Sequence, residues 1–167
     1  FSKTFNILHL SNRVMKTKEE YKKLKKTYNL PDFENLNIDF HIDDIEELSY
    51  IFLQKIRIKI TEKIDFYKEI MSTIVQPETN LRDLYEAKYV NDNTKETAYT
   101  LFKELMLIIR NSNLVSINNG EEENAKFIID SYNSYVKLKP SIKTHVAKLK
   151  TAWEKDTDIK NDLSYFG

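Results

Sequence analysis

Glycine is scarce in this chain: Gly120 and Gly167 are the only two in 167 residues, beside three prolines. Tight β-hairpin turns need residues with positive φ, and glycine adopts that conformation most readily. The loops that cradle phosphates in nucleotide-binding folds are also glycine-rich. The sequence therefore argues against most β architectures and against a glycine-rich nucleotide site.

The composition is that of one compact domain, and we interpret residues 1–167 as a single helical domain. Hydrophobic residues make up 41% and charged residues 31%, which is too apolar for a disordered chain. The chain has no cysteine, which excludes disulfides, thiol chemistry and cysteine-based zinc sites. No apolar run reaches the ~20 residues that a membrane-spanning helix needs. We therefore expect a soluble protein, and the lack of cysteine is compatible with the cytoplasm.

Apolar residues recur at helical spacing in nearly every segment, which predicts an all-α bundle of five to seven helices. The longest predicted element is a central helix over about 43–76, ended by Pro77. Its apolar side chains fill an arc of about 160° on a helical wheel, so it should contact more than one neighbour. They are Ile45, Leu48, Phe52, Leu53, Ile56, Ile60, Ile64, Phe66, Tyr67, Ile70, Met71 and Ile74.

Asparagine, glycine and proline mark the ends of the later helices. Asn80 and Asn91 each predict a helix start, because an asparagine side chain can accept a hydrogen bond from the first turn. Asn118-Asn-Gly120 predicts a loop, and Pro140 predicts the start of the last helix. Beyond that helix the apolar pattern fades into a loosely held tail, residues 155–167.

Residues 32–42, which follow the first proline, are interpreted as a connector. Leu36, Ile38, Phe40 and Ile42 alternate with polar residues, so a short extended stretch is an alternative for this segment. The central helix is expected to begin directly after it, at Asp43, because acids in a first turn suit the positive end of a helix dipole.

The charges are arranged in blocks although they cancel overall. Residues 1–30 form a basic helical arm with eight Lys or Arg and two acids, whereas residues 31–54 carry seven acids and no base. The arm is either one helix or two, since Thr17-Lys-Glu-Glu20 has the capping-box form that favours a new start at Lys18. We expect the two blocks to fold against each other. The basic contact surface of the arm would consist of Lys18, Lys22, Lys25 and Lys26.

No nucleophilic or metal-binding motif is present. None of His9, His41 and His145 has an acid or a second histidine at helical ligand spacing within a clear helix. His145 lies at the edge of an apolar stripe, so it is expected to be a packed or half-exposed imidazole. No serine lies in a nucleophile elbow.

Acidic pairs are the main resource of all-α metal-dependent enzymes, because carboxylates can hold Mg²⁺ against a phosphate. Asp44-x-x-Glu47 followed by Glu62-x-x-Asp65 resembles the acidic signature of all-α nucleotide pyrophosphohydrolases. Both pairs fall on the predicted central helix, however, roughly 27 Å apart at 1.5 Å per residue, and they face solvent. A site would need a pair from another helix, for which Asp83-x-x-Glu86 is the candidate.

Lys63 is an anomalous charge inside the apolar arc of the central helix. Burying its neighbours Ile56, Ile60, Ile64 and Tyr67 is favourable, whereas burying an unpaired ammonium costs several kcal/mol. We therefore expect the four neighbours to be largely buried, and the ammonium of Lys63 to reach water or an acid.

Because the sequence contains no complete catalytic motif, we expect a non-catalytic helical module that acts in protein interaction or as a structural element. Its partner would be another protein or a second copy of itself, and no catalytic residue, cofactor or metal ligand is assigned. One alternative is a nucleic-acid-binding module, since the basic N-terminal helix carries lysines beside aromatic residues. The other is a helical metal-dependent hydrolase whose acidic site is assembled from separate helices.

Overall fold

The structure is a computed structural model that describes residues 2–45 and 51–154, with side chains from Met15 onward. In these parts of the chain 87% of the residues are helical and no strand occurs, which confirms the predicted helical bundle. A 3-10 turn at Ile42–Asp44 lies between the second and third helices. The helices are α1 (Ser2–Tyr28), α2 (Phe33–Phe40), α3 (Phe52–Val75), α4 (Leu81–Tyr89), α5 (Asp92–Asn118) and α6 (Glu121–Trp153).

Helix α3 is the centre of the bundle, since it packs against α2, α4, α5 and α6. It is shorter than predicted, however, and α6 is the longest helix, with 33 residues against 24. The helix does not begin at Asp43, because Asp43 and Asp44 belong to the 3-10 turn and Ile45 is extended. Residues 46–50, including the predicted core residue Leu48, lie outside the described residues. The buried face of α3 contains Phe52, Leu53, Ile56, Arg57, Ile60, Ile64, Met71 and Ile74.

Helix α1 is continuous from Ser2 to Tyr28, so the predicted new start at Lys18 is wrong. Thr17 does not cap a helix. Its side chain is fully buried, and its hydroxyl donates a hydrogen bond to the carbonyl oxygen of Ile45 at 3.4 Å. The threonine therefore joins α1 to the residue that follows the 3-10 turn.

The segment predicted as a connector is the helix α2. Its buried residues Phe33, Leu36 and Phe40 are three and four positions apart, which is helical spacing. Ile38, which supported the extended alternative, points away from the core and is 71% exposed. The extended alternative is therefore wrong, because the buried residues of this segment recur with the period of a helix.

The predicted asparagine caps are confirmed. The side chain of Asn80 accepts a hydrogen bond from the backbone N–H of Asp83 at 3.0 Å, and that of Asn91 accepts one from Thr94 at 2.9 Å. Asn119 adopts a left-handed conformation, with φ of 52°, in the short loop that joins α5 to α6.

Pro140 lies inside α6, so the predicted helix start at this residue is wrong. A proline cannot donate to the carbonyl four residues earlier, which belongs to Val136. Both residues are exposed, so water can satisfy the free carbonyl. The helix continues because its buried residues on both sides of Pro140, Tyr135 and Ile142, belong to the same core cluster.

The side chain of Arg57 joins three helices inside the bundle. Its Nε donates to the side-chain oxygen of Asn124 on α6 at 2.8 Å. Its Nη1 donates to the hydroxyl of Ser112 on α5 at 2.9 Å and to the carbonyl of the same residue at 3.2 Å. All three residues are buried, and these partners are neutral. Burial lowers the pKa of the guanidinium, and the hydrogen bonds hold α3, α5 and α6 in one register.

We expect Arg57→Met to lower the free energy of unfolding by about 2–4 kcal/mol, because the polar groups of Ser112 and Asn124 would lose a buried partner. Urea denaturation followed by circular dichroism measures the change. Lys126→Met is the matched control, since Lys126 is an exposed cation, and its effect should stay within about 0.5 kcal/mol. Equal stabilities for the two variants would contradict a structural role of the Arg57 contacts.

We expect Pro140→Ala to raise the free energy of unfolding by up to about 3 kcal/mol, because alanine restores a helix hydrogen bond and removes the clash of the proline ring. The same denaturation experiment measures it. A loss of stability would indicate that the proline is needed for the course of α6.

Candidate interaction surface

Two basic residues of α1 face acidic residues at the start of α2. Lys18 forms an ion pair with Glu34, and Lys25 forms one with Asp32. The predicted proximity of the two charge blocks is therefore confirmed. Lys22 and Lys26 remain on the surface. Half of the predicted basic contact surface is thus engaged by the chain itself.

Other helices also contribute bases to the acidic segment. Asp39 pairs with Lys139 of α6, and Asp44 pairs with Lys59 of α3 at 3.6 Å. Exposed ion pairs contribute at most about 1 kcal/mol each to stability. Together with the pairs from α1, they give a basic partner to four of the acids between residues 31 and 45.

The predicted burial of the neighbours of Lys63 is confirmed for three of the four residues. Ile56, Ile60 and Ile64 are fully buried, whereas Lys63 is half-buried. Its ammonium lies 5.4 Å from the ring centroid of Tyr67 and 5.8 Å from that of Phe66. Aromatic faces attract a cation at such distances. Tyr67 is only partly buried, and its ring forms one side of this contact.

The histidines do not form a site within the described residues. His41 is exposed and adopts a left-handed backbone conformation, and the side chain of His9 lies outside the described residues. His145 is 1% exposed, as expected for a packed imidazole, and neither of its ring nitrogens has a hydrogen-bond partner. Burial lowers the pKa of His145 below 6.5, and the positive charge of Lys148 lowers it further.

The predicted acidic pairs are dispersed. Asp44 is on the 3-10 turn rather than on α3, Asp65 is paired with Lys68 at 3.1 Å, and Glu47 lies outside the described residues. Glu62 is exposed on α3. Among residues 15–45 and 51–154, no three His, Asp or Glu side chains come close enough to hold a metal ion.

The third acidic pair, Asp83 and Glu86, accepts hydrogen bonds from other residues of the chain. Asp83 is buried on α4 and accepts hydrogen bonds from Nε of Arg82 at 2.8 Å and from the N–H of Glu78 at 3.3 Å. Glu86 accepts a hydrogen bond from the indole N–H of Trp153 at 2.8 Å. Glu86 therefore joins α4 to the end of α6, whereas the contacts of Asp83 are with residues at the start of α4 and just before it.

Helix α5 carries apolar residues on two opposite faces. Its inner face packs into the bundle and contains Thr94, Ala98, Leu101, Leu105, Ile108 and Ser112. Its outer face has residues at steps of three or four positions, within an arc of about 80° on a helical wheel. We define this outer face as Asp92, Glu96, Tyr99, Lys103, Leu107, Arg110, Leu114 and Ile117.

The four apolar members of the outer face are exposed. Tyr99, Leu107, Leu114 and Ile117 are each more than half exposed, and Ile117 is 77% exposed. Leu114 also repeats at helical spacing with residues of the inner face, but it is 66% exposed. The signal was present in the sequence, because these four residues repeat at helical spacing. The spacing alone does not indicate which of the two faces of α5 packs against α3.

An open groove continues the outer face at its N-terminal end. It is lined by side chains from the end of α3 and from the first turns of α5, and its volume is about 540 Å³. Tyr99 forms part of both surfaces. The lining residues are Ile74, Val75, Lys95, Glu96, Tyr99 and Thr100.

A second apolar groove, of about 440 Å³, contains Phe66, Val146 and Trp153. The largest of these side chains, Trp153, already makes contacts within the chain. The indole ring of Trp153 stacks on Tyr85, with ring centroids 4.3 Å apart, besides its hydrogen bond to Glu86. The outer face of α5 carries four exposed large apolar side chains, against three in this groove.

Comparison of the chain with protein-family models, with curated proteins and with solved structures finds no match. Within residues 2–45 and 51–154, no helix is long and apolar enough to cross a bilayer. The exposed surface of the bundle is thus the basis for a functional proposal.

The buried His145 predicts a loss of stability in acid. The unfolded chain binds a proton near the ordinary pKa of 6.5, whereas the folded chain resists protonation, so the free energy of unfolding should fall as the pH falls below about 6.5. Urea denaturation at several pH values between 5 and 8 measures this slope. We expect His145→Leu to reduce the slope and to be at least as stable as the wild type in acid.

The matched control is His41→Asn, because asparagine tolerates the left-handed backbone of this exposed position. It should retain the pH dependence of the wild type. An unchanged slope in His145→Leu would show that another group causes the acid sensitivity.

Proposed function

We propose that this chain is a non-catalytic helical interaction module, and that its contact surface is the outer face of α5. The proposal is supported mainly by one observation: four large apolar side chains are exposed on a helix whose opposite face is already buried in the bundle. A surface helix of a monomeric protein ordinarily has a polar outer face. Several large apolar residues exposed on one face of a protein are typical of a contact surface.

The energetics favour covering this face. Full burial of a large apolar side chain is worth about 1.5–3 kcal/mol, so burying the exposed parts of four would contribute several kcal/mol to binding. Lys103 and Arg110 lie between the apolar residues, and a contact surface gains specificity from such charges. The helix is anchored on its inner face, so little additional ordering is needed when a partner binds.

The two alternatives have less support. Two of the four lysines of the predicted basic surface are paired with Glu34 of α2 and with Asp32, which precedes it, and this weakens a phosphate-binding role for α1. The acidic residues considered for a hydrolase lie apart or hold other groups within the described part of the chain. No contact in this part of the chain favours either function over an interaction module.

Site-specific photo-cross-linking in cells that produce the protein tests the proposal. A photoreactive amino acid placed at Leu107 or at Leu114 should give a discrete cross-linked product, either with another protein or with a second copy. The controls are Ile38 and Leu81, which are equally exposed apolar residues on other helices. The proposal is wrong if the products from α5 do not exceed those from the control positions.

A further inference from the structure

The charges of the outer face of α5 follow an order that suits a second copy of the same face. Asp92 and Glu96 lie towards the N-terminus of the helix, and Lys103 and Arg110 lie further along it. We propose that the outer face of α5 binds the same face of a second chain in antiparallel orientation. This inference rests on the proposed function and specifies that the binding partner is a second copy of the chain.

Glu96 and Arg110 carry the charge argument. They are 14 positions apart on α5, which is roughly 21 Å along the helix axis, so they cannot pair with each other. Within the described residues, neither side chain has an ion-pair partner, although both are exposed. Each therefore offers a free charge of opposite sign on the same face of one helix.

A two-fold axis near Lys103 brings these charges together. In an antiparallel pair, residues whose numbers are equally far from the axis lie opposite each other, so Glu96 faces Arg110 of the partner subunit and Arg110 faces Glu96 of the partner subunit. The same register sets Tyr99 against Leu107 of the partner subunit, whereas Leu114 lies opposite Asp92 of the partner subunit and Ile117 lies beyond the paired segment. A parallel pair would set each charge against its own kind, which is unfavourable.

The size of this face predicts a weak dimer. The segment between residues 92 and 114 is roughly 33 Å long, and a helix is about 10 Å wide, so each copy would bury roughly 330 Å². Stable dimers bury about 800 Å² on each partner. The two copies of Lys103 also lie near each other at the axis. We therefore expect a reversible dimer with a Kd on the order of 10–100 μM.

Sedimentation equilibrium of the wild type between 5 and 500 μM tests the inference. We expect Glu96→Arg and Arg110→Glu each to weaken the dimer at least tenfold, because each reversal creates two like-charge contacts across the axis. The double variant should recover the wild-type Kd. An equimolar mixture of the two single variants should form a mixed dimer, since each chain then carries the complement of the other.

Glu62→Arg is the matched control, because it reverses an exposed acid on α3 and should leave the Kd unchanged. Circular dichroism should show the same helicity for all variants. A wild type that is monomeric at 500 μM would overturn this inference, and so would single reversals without effect or a double variant without recovery. If the wild type is monomeric and Leu107 and Leu114 still cross-link to a different protein, the proposed function stands and only self-association fails.

Discussion

The bundle depends on the complete burial of one face of α3, and Arg57 belongs to that face near the N-terminal end of the helix. The aliphatic residues around it would pack against many arrangements of apolar helices. A buried guanidinium needs acceptors at defined positions, and Ser112 and Asn124 supply them from α5 and α6. Apolar burial therefore stabilises the bundle, whereas Arg57 selects the register of its three main helices.

The N-terminal third of the chain is held to this centre in a different way. Tyr21 is buried between α1 and α2, with its ring 5.4 Å from that of Phe33, and its hydroxyl donates to the carbonyl of Pro31 at 2.7 Å. Ion pairs from α1, α3 and α6 surround the acidic segment at its surface. The aromatic and apolar contacts provide the stability here, and the charges align the elements. The same charges reduce the basic surface that a nucleic acid would need.

The helical class and most helix ends could be predicted from the sequence, because periodicity and caps are local properties. Asn80 and Asn91 act within one turn, so their roles could be read directly. The wrong predictions concern features that depend on contacts between residues far apart in the sequence. Pro140 lies within a helix because the core continues on both sides of it, and Arg57 shares the spacing of Leu53 and Ile60 but was not recognised as buried. A charged residue at a core position is interpretable only when its acceptors are known.

The two apolar faces of α5 raise a question about how this helix finds its place during folding. Either face could dock on the apolar surface of α3, since both repeat at the spacing of a buried stripe. Only the inner face brings a hydroxyl to Arg57. Docking by the other face would place Lys103 or Arg110 near a cation that has lost its acceptors, which costs several kcal/mol. Arg57 thus acts as a check on the orientation of α5, so that the apolar outer face is left for contacts made after folding.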